Sequence, residues 1–486
     1  MSNLKKNYLY QATYQLLLII VPLVTTPYLS RVLGASQVGV YSYTYSIANY
    51  FVMFATLGMS TYGVREIAAC GDDRKSRSMV FWEMYAVQAL VSVVCIAAYV
   101  VYSFTNPKGG FVVAAVWGMW VVSALLDVSW MFFGVEEFKV PTIRSIATRL
   151  LSVVMIFGFV RGPEDLCVYC AAIAGSFLAN QVLLWPFVRR YVDFVIPKPK
   201  ATLRHLVPNL RLFIPVIAIS FYVTLDKVML GAIAGMAQAG YFEYSEKLSR
   251  MPMALVTAVG TVMLPRMTVE LNSGNRKKAL SLLEGSIWAM LMMAFAMMFG
   301  IIGIAREFAP VFLGSEFASC DVIMCVLALI IPIVSTTNVL GRQYLLPTGR
   351  DTLFTLSVCV GALVNVCLNL ALIPVAGAMG AAVSTVCAES SVLVVQVILT
   401  YRELPLRLYV KNAVPFAICG ILMAVIIRFA SVPFTAIWGI GALTLALEVC
   451  VGIALYAALV AGWCLATRNE HFLPFVNGMA SKFRSK

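Results

Sequence analysis

Apolar residues run along this chain in blocks of about twenty, broken by short polar segments. A helix rises about 1.5 Å per residue, so roughly 20 apolar residues cross a hydrocarbon core about 30 Å thick. On that basis the pattern predicts spans over 8–29, 38–58, 79–101, 111–133, 143–160, 166–188 and 210–230. Seven more follow at 239–264, 282–304, 322–340, 353–373, 377–399, 414–427 and 437–465. The expected fold class is therefore an all-α polytopic membrane protein of about fourteen transmembrane helices.

Composition agrees with that pattern. The 486 residues are 61% hydrophobic and 12% charged, with a mean hydropathy of +0.88. A soluble domain is nearer half apolar and a quarter charged. The net charge of +13 does not point to nucleic acid, because the basic residues are spread among short segments between apolar blocks. With the N-terminus inside, 28 of the 36 Lys and Arg fall in cytoplasmic segments, Arg31, Lys108, Arg161, Arg306 and Arg428 fall outside, and Lys227, Lys247 and Arg250 fall within spans. The asymmetry predicts cytoplasmic termini. Met1 to Lys6 is short and basic with no Ala-x-Ala site after it, so the first span is expected to stay as an anchor.

Little in the chain suggests enzyme chemistry. The cysteines lie mostly inside apolar blocks, Cys167 and Cys170 form a lone C-x-x-C, and the histidines His205 and His471 fall in expected loops. No metal site, cofactor or nucleotide-binding glycine loop is read.

The longest hydrophilic connection, 189–209, carries Pro197, Pro199 and Pro208 and follows the sixth span. It suggests halves at 1–190 and 210–400 joined by a cytoplasmic linker at 191–209, with two further spans and a tail at 401–486. The halves echo each other. Val32-Leu33-Gly34-Ala35 followed by Gly39-Val40-Tyr41 recurs as Met229-Leu230-Gly231-Ala232 followed by Gly240-Tyr241-Phe242. Six spans separate the copies, so the repeat is parallel, and Arg31 corresponds to Lys227 through it.

The stretch Thr26-Pro27-Tyr28-Leu29-Ser30-Arg31-Val32-Leu33-Gly34 with Gly39-x-Tyr41-Ser42 resembles the opening of bacterial polysaccharide-biosynthesis flippases. Leu225-Asp226-Lys227-Val228-Met229-Leu230-Gly231 with Gly240-Tyr241 resembles their seventh span and the following turn. These form the O-antigen (Wzx-type) branch of the multidrug/oligosaccharidyl-lipid/polysaccharide (MOP) exporter superfamily. The resemblance implies two pseudo-symmetric six-helix lobes around a central cavity, plus two C-terminal helices. It implies an undecaprenyl-diphosphate-linked oligosaccharide carried to the outer leaflet of the bacterial inner membrane. It also implies a cavity lined by spans 1, 2, 7 and 8, and a monomer among membrane lipids beside a polysaccharide polymerase.

Such a substrate calls for a hydrated, cationic cavity, and the spans offer candidates. Glu243, Glu246, Lys247 and Arg250 recur at helical spacing in span 8, with Arg250 the deepest cation. Arg31 and Lys227 at outer span ends, and Arg65 at an inner end, are cations for the diphosphate or interface anchors. Tyr45 and Asn49 lie on a polar stripe of span 2 with Ser42, Ser46 and Tyr50, suited to sugar hydroxyls or to helix–helix hydrogen bonds. Asp127, Glu389 and Glu448 are acids in apolar spans, open to ion coupling or to buried pairing. Pro22, Pro27, Pro215 and Pro252 allow bends in the proposed cavity helices.

Two other readings compete. A lipid II flippase or a drug/cation exporter of the same superfamily shares the layout, although the basic set argues against a cation exporter. A membrane-embedded polymerase or ligase needs a sizeable outer domain, and the longest outer connection here is only about 305–321.

Overall fold

The computed structural model describes residues 2–105 and 108–468, with side chains from residue 17 on apart from 200, 215, 222, 257–259, 261, 262, 264, 271 and 272. The side chains of Lys5, Lys6, Lys200 and Pro215, and the residues His471, Lys482, Arg484 and Lys486, lie outside the described residues. All regular elements among those described are helical.

Among the described residues, eleven helical runs are long and apolar enough to cross a membrane. Two of them, Leu17–Ala69 at 53 residues and Asp351–Thr400 at 50, exceed one crossing by more than twofold. Each is broken by a glycine with positive φ, Gly34 at 73° and Gly377 at 54°. Only glycine adopts that conformation without steric cost, so one residue turns the chain where the sequence suggested a loop of several.

The first compact unit, 1–243, contains α1 (Ser2–Thr56), α2 (Met59–Ala69), α3 (Arg74–Thr105), α4 (Phe111–Leu125) and α5 (Ser129–Gly134). It continues through α6 (Lys139–Phe159), α7 (Leu166–Val182), α8 (Trp185–Val188), α9 (Pro199–Arg204) and α10 (Leu206–Ile233) into α11 (Met236–Arg250). The kinked α1 is its spine, packing on α3, α4, α6 and α10. A core of Tyr62, Phe81, Met84, Trp130 and Phe132 fills one end, where Gly63 lets the Trp130 ring lie against α2.

The expected span 111–133 is divided. At 126–128 the helix stops, and the Gln88 amide donates to the carbonyls of Ala124 and Asp127, both at 2.8 Å. Gln88 thus meets backbone acceptors that the break leaves open.

The second unit, 244–486, holds the end of α11, α12 (Met253–Asn272), α13 (Arg276–Leu313), α14 (Cys320–Ala328) and α15 (Ile330–Thr337). A π-helical turn follows over Asn338–Leu345, then α16 (Asp351–Thr400), α17 (Leu406–Trp438) and α18 (Ala442–Ala466). The expected span 239–264 is absent from the eleven. It breaks at Met251–Pro252, and the 15-residue α11 carries four charges. Proline there removes a backbone donor and stops the helix. The last two helices pack on α13, where the Phe299 ring lies against Gly420 and Tyr456 donates to the Met292 carbonyl at 2.8 Å.

Candidate functional site

The two copies of the repeated turn lie against each other within the first unit. A Cβ on Gly39 would sit 1.7 Å from the Met236 carbonyl oxygen, and one on Gly240 would sit 2.1 Å from that of Ala35. Any side chain at either position would collide with backbone, so glycine is required for contact this close. Gly39 lies five residues after the turning Gly34, and Gly240 lies five after Gly235, whose φ is 98°. The structural partner of Gly34 is therefore Gly235, not Gly231. Arg31 lies three residues before Gly34 whereas Lys227 lies eight before Gly235, so the correspondence of Arg31 with Lys227 does not hold in this register.

The two cations are held differently. Lys227 on α10 points inward and pairs with Glu243 at 2.7 Å, and the same carboxylate oxygen accepts from Ser42 of α1 at 2.8 Å. Both charged side chains are less than one-fifth exposed. Arg31 is exposed and donates to the Pro27 carbonyl of its own helix at 2.7 Å.

Beside this pair stands an aromatic wall. Tyr45 stacks on Trp120 at 4.7 Å between centroids, and Tyr41 stacks on Tyr45 and leans on Tyr169. The Trp117 indole donates to Thr44 at 3.1 Å. Asn49 is half-buried one turn beyond Tyr45, and Arg65 is exposed on α2.

Sequence reasoning missed two features of this unit. Arg149, counted among cytoplasmic basics, lies ten residues into α6 and within electrostatic reach of Tyr45. Its distance from the helix start, about 15 Å, was the available signal. His205 sits in the turn between α9 and α10 as expected, but it is buried there, with Tyr62 at 2.8 Å from Nδ1 and Glu83 at 3.2 Å from Nε2. No periodicity marks a long-range triad of that kind.

In the second unit Arg250 joins two acids that are 95% or more buried. Its Nε donates to Glu246 at 2.8 Å, and a terminal nitrogen lies 3.8 Å from Glu389 of α16. Glu389 is thus not the isolated acid its apolar surroundings suggested. Lys247 lies over the Tyr244 ring at 5.7 Å. Asp127 is not inside a continuous helix either, since it accepts from the Ser129 amide at 2.9 Å and its hydroxyl at 2.6 Å across the α4–α5 break. Glu448 is fully buried on α18. Outside the spans, hydrogen bonds from Arg350, at 2.7 Å, and then Tyr344 hold the Glu403 carboxyl below the usual carboxylate range. No cluster of three or more potential metal ligands occurs among the described residues.

Many apolar helices with ion pairs and polar stripes inside them define a multi-pass membrane protein. The chain belongs to the family described as "Polysaccharide biosynthesis protein", which matches residues 4–269. It is 22% identical over 391 residues to a "Putative O-antigen transporter" of Escherichia coli (strain K12), covering 80% of this chain and 94% of that protein. A shorter match, 24% over 165 residues, is to the "Probable low-salt glycan biosynthesis flippase Agl15" of Haloferax volcanii, covering 34% of this chain and 35% of that protein. Among solved structures, "Lipid II flippase MurJ, inward closed conformation" superposes with a TM-score of 0.75 at 14% identity, covering 95% of this chain and 99% of that one. An inward-facing multidrug resistance MATE family transporter of the MOP superfamily gives 0.59 at 14% identity, covering 79% and 98%. The last two likenesses show that the chain shares the fold of those solved transporters.

Proposed function

We propose that this protein carries an undecaprenyl-diphosphate-linked oligosaccharide, a repeat unit of O-antigen, capsule or exopolysaccharide, from the cytoplasmic to the outer leaflet by alternating access. The observation that carries this reading is the glycine-packed joint of the two repeated turns, with Lys227, Glu243 and Ser42 beside it. On a division at 1–190 and 210–400 its two turns would come from different lobes, at the ends that positive-inside topology puts outside. A backbone contact that glycine alone permits can part without unlocking side chains. An ion pair beside it gives Lys227 a partner that a diphosphate can replace.

Counting both arms of each glycine-broken helix, and α11 with α12 as one span, supports fourteen crossings with both termini cytoplasmic. The aromatic wall at Tyr41, Tyr45 and Trp120 suits stacking on sugar rings, with Asn49 as a hydroxyl partner. Arg31 and Arg65 are the peripheral cations, and Lys247 with Arg250 continues the charged face of α11. For ion coupling, Glu389 beside Arg250 and Glu246 is the best placed of the three acids, because a proton there changes the charge around a cation. Asp127 already serves as an acceptor for Ser129. A monomer beside a polysaccharide polymerase fits the same reading.

The test is protein-dependent translocation of a fluorescent undecaprenyl-diphosphate oligosaccharide in proteoliposomes, run beside lipid II. Transport of the oligosaccharide in preference to lipid II is expected. The reverse preference would favour the lipid II flippase alternative, which the likeness to MurJ keeps in view. Transport of lipophilic cations alone would favour a drug exporter.

A further inference from the structure

Glu448 is the acid that this transport scheme leaves unused. Its side chain is 0% exposed, and neither carboxyl oxygen has a hydrogen-bond partner among the described residues. It lines a cavity of about 320 Å³ between α13, α17 and α18, with walls that include Gly300, Ile304, Met423, Ile427 and Ile453. Ile453 is 67% exposed, so the α18 wall reaches the surface that a spanning helix turns to lipid.

The charged groups near Glu448 are Glu307 of α13 and Arg428 of α17. They are already matched, because one Arg428 nitrogen donates to both Glu307 oxygens at 3.1 and 2.8 Å. Tyr456 in the same cavity gives its hydroxyl to the Met292 carbonyl. No lysine or arginine lines the space. A buried carboxyl without donors is costly, and a hydrocarbon chain alone would leave it so. One carboxyl among aliphatic walls is also too few ligands for a metal ion.

We propose that this cavity binds a basic amphiphile from the bilayer: an apolar chain with one protonated amine, the ammonium resting on Glu448. Low dielectric strengthens that ion pair, and the walls take the chain. Its lining shares no residue with the proposed glycan path, and the proposal does not depend on that path.

The test uses the full chain in lipid nanodiscs, with dodecylamine as probe and dodecanol as control. Dodecylamine is expected to raise the melting temperature where dodecanol does not, and Glu448→Gln is expected to weaken binding at least tenfold, a loss of about 1.4 kcal/mol. Gly300→Leu keeps the carboxyl but fills the cavity, and its Cβ meets only the Met423 methyl at 4.0 Å. It is expected to abolish binding, and it decides the matter if Glu448→Gln does not fold. Dicyclohexylcarbodiimide provides a covalent readout. The carboxyl O–H adds across its N=C bond and the adduct rearranges to an N-acylurea with nothing leaving, so mass spectrometry finds it at Glu448. Dodecylamine should slow that labelling. Equal shifts by amine and alcohol, unchanged binding in both variants, or labelling indifferent to dodecylamine would overturn the proposal.

Discussion

Lys227 and Arg250 are both cations in helices of largely apolar surroundings, yet they are neutralised in different ways. Lys227 pairs with Glu243, whose carboxylate also takes a hydroxyl from α1. Arg250 bridges two acids, one on its own helix and one on α16. A lysine is a point charge that can change partners, whereas a guanidinium holds several acceptors in a fixed plane. The first arrangement suits a joint that opens, and the second suits a cation kept in place by surrounding acid. Neither is the bare cationic lining that the arginines and lysines suggest in the sequence alone.

The contrast can be broken most severely at the glycine contact. Gly39→Ala puts a methyl 1.7 Å from the Met236 carbonyl and should destabilise the first unit by about 3 kcal/mol or prevent its assembly, read as a melting shift in detergent. Gly158→Ala, with nothing within 4 Å, is the matched control and should be neutral or mildly stabilising.

Next come the ion pairs. Lys227→Met leaves Glu243 buried beside a hydroxyl and should cost about 2–3 kcal/mol, while adding Glu243→Gln should recover part of that loss. A double-mutant cycle with no coupling would remove the Lys227–Glu243 pairing as a source of stability. Arg250→Ala leaves Glu246 and Glu389 facing each other, so Glu389→Gln in that background should restore thermal stability, which it would not do for an unrelated site. Arg250→Lys should restore stability only in part, because one ammonium cannot span both acids at guanidinium geometry.

The smallest effect lies outside the spans. Glu403 is held below its ordinary range in the folded chain, so its ion pair with Arg350 adds stability above the unfolded-state pKa. That stability disappears as pH falls through the lower, folded value. Both side chains are partly exposed, and the contribution should be about 0.5–1 kcal/mol, seen as a shallower acid melting profile in Glu403→Gln.

The apolar blocks made the class and nearly every helix legible, because burial in lipid demands long runs of one chemistry. The breaks at Gln88–Asp127 and Met251–Pro252 were less legible. One depends on a side chain from another helix, and the other on a proline that span-length averaging absorbs. The repeat was visible at Gly39 and Gly240, but its register was not. Only backbone geometry distinguishes Gly235 from Gly231 as the turning residue, and that distinction moves Lys227 away from Arg31. Charge partners such as Glu243 for Lys227 and Glu389 for Arg250 are long-range facts with no local signature. His205 went unread for the same reason.

The most direct test of lipid-linked glycan transport is the rate at which proteoliposomes move fluorescent undecaprenyl-diphosphate oligosaccharide across the bilayer, compared between wild type and Arg250→Ala of verified fold. Wild-type transport with at least a tenfold loss in the variant is the expected result. Well-folded wild-type protein that moves no such glycan, under several ion gradients and with several sugars, would contradict it.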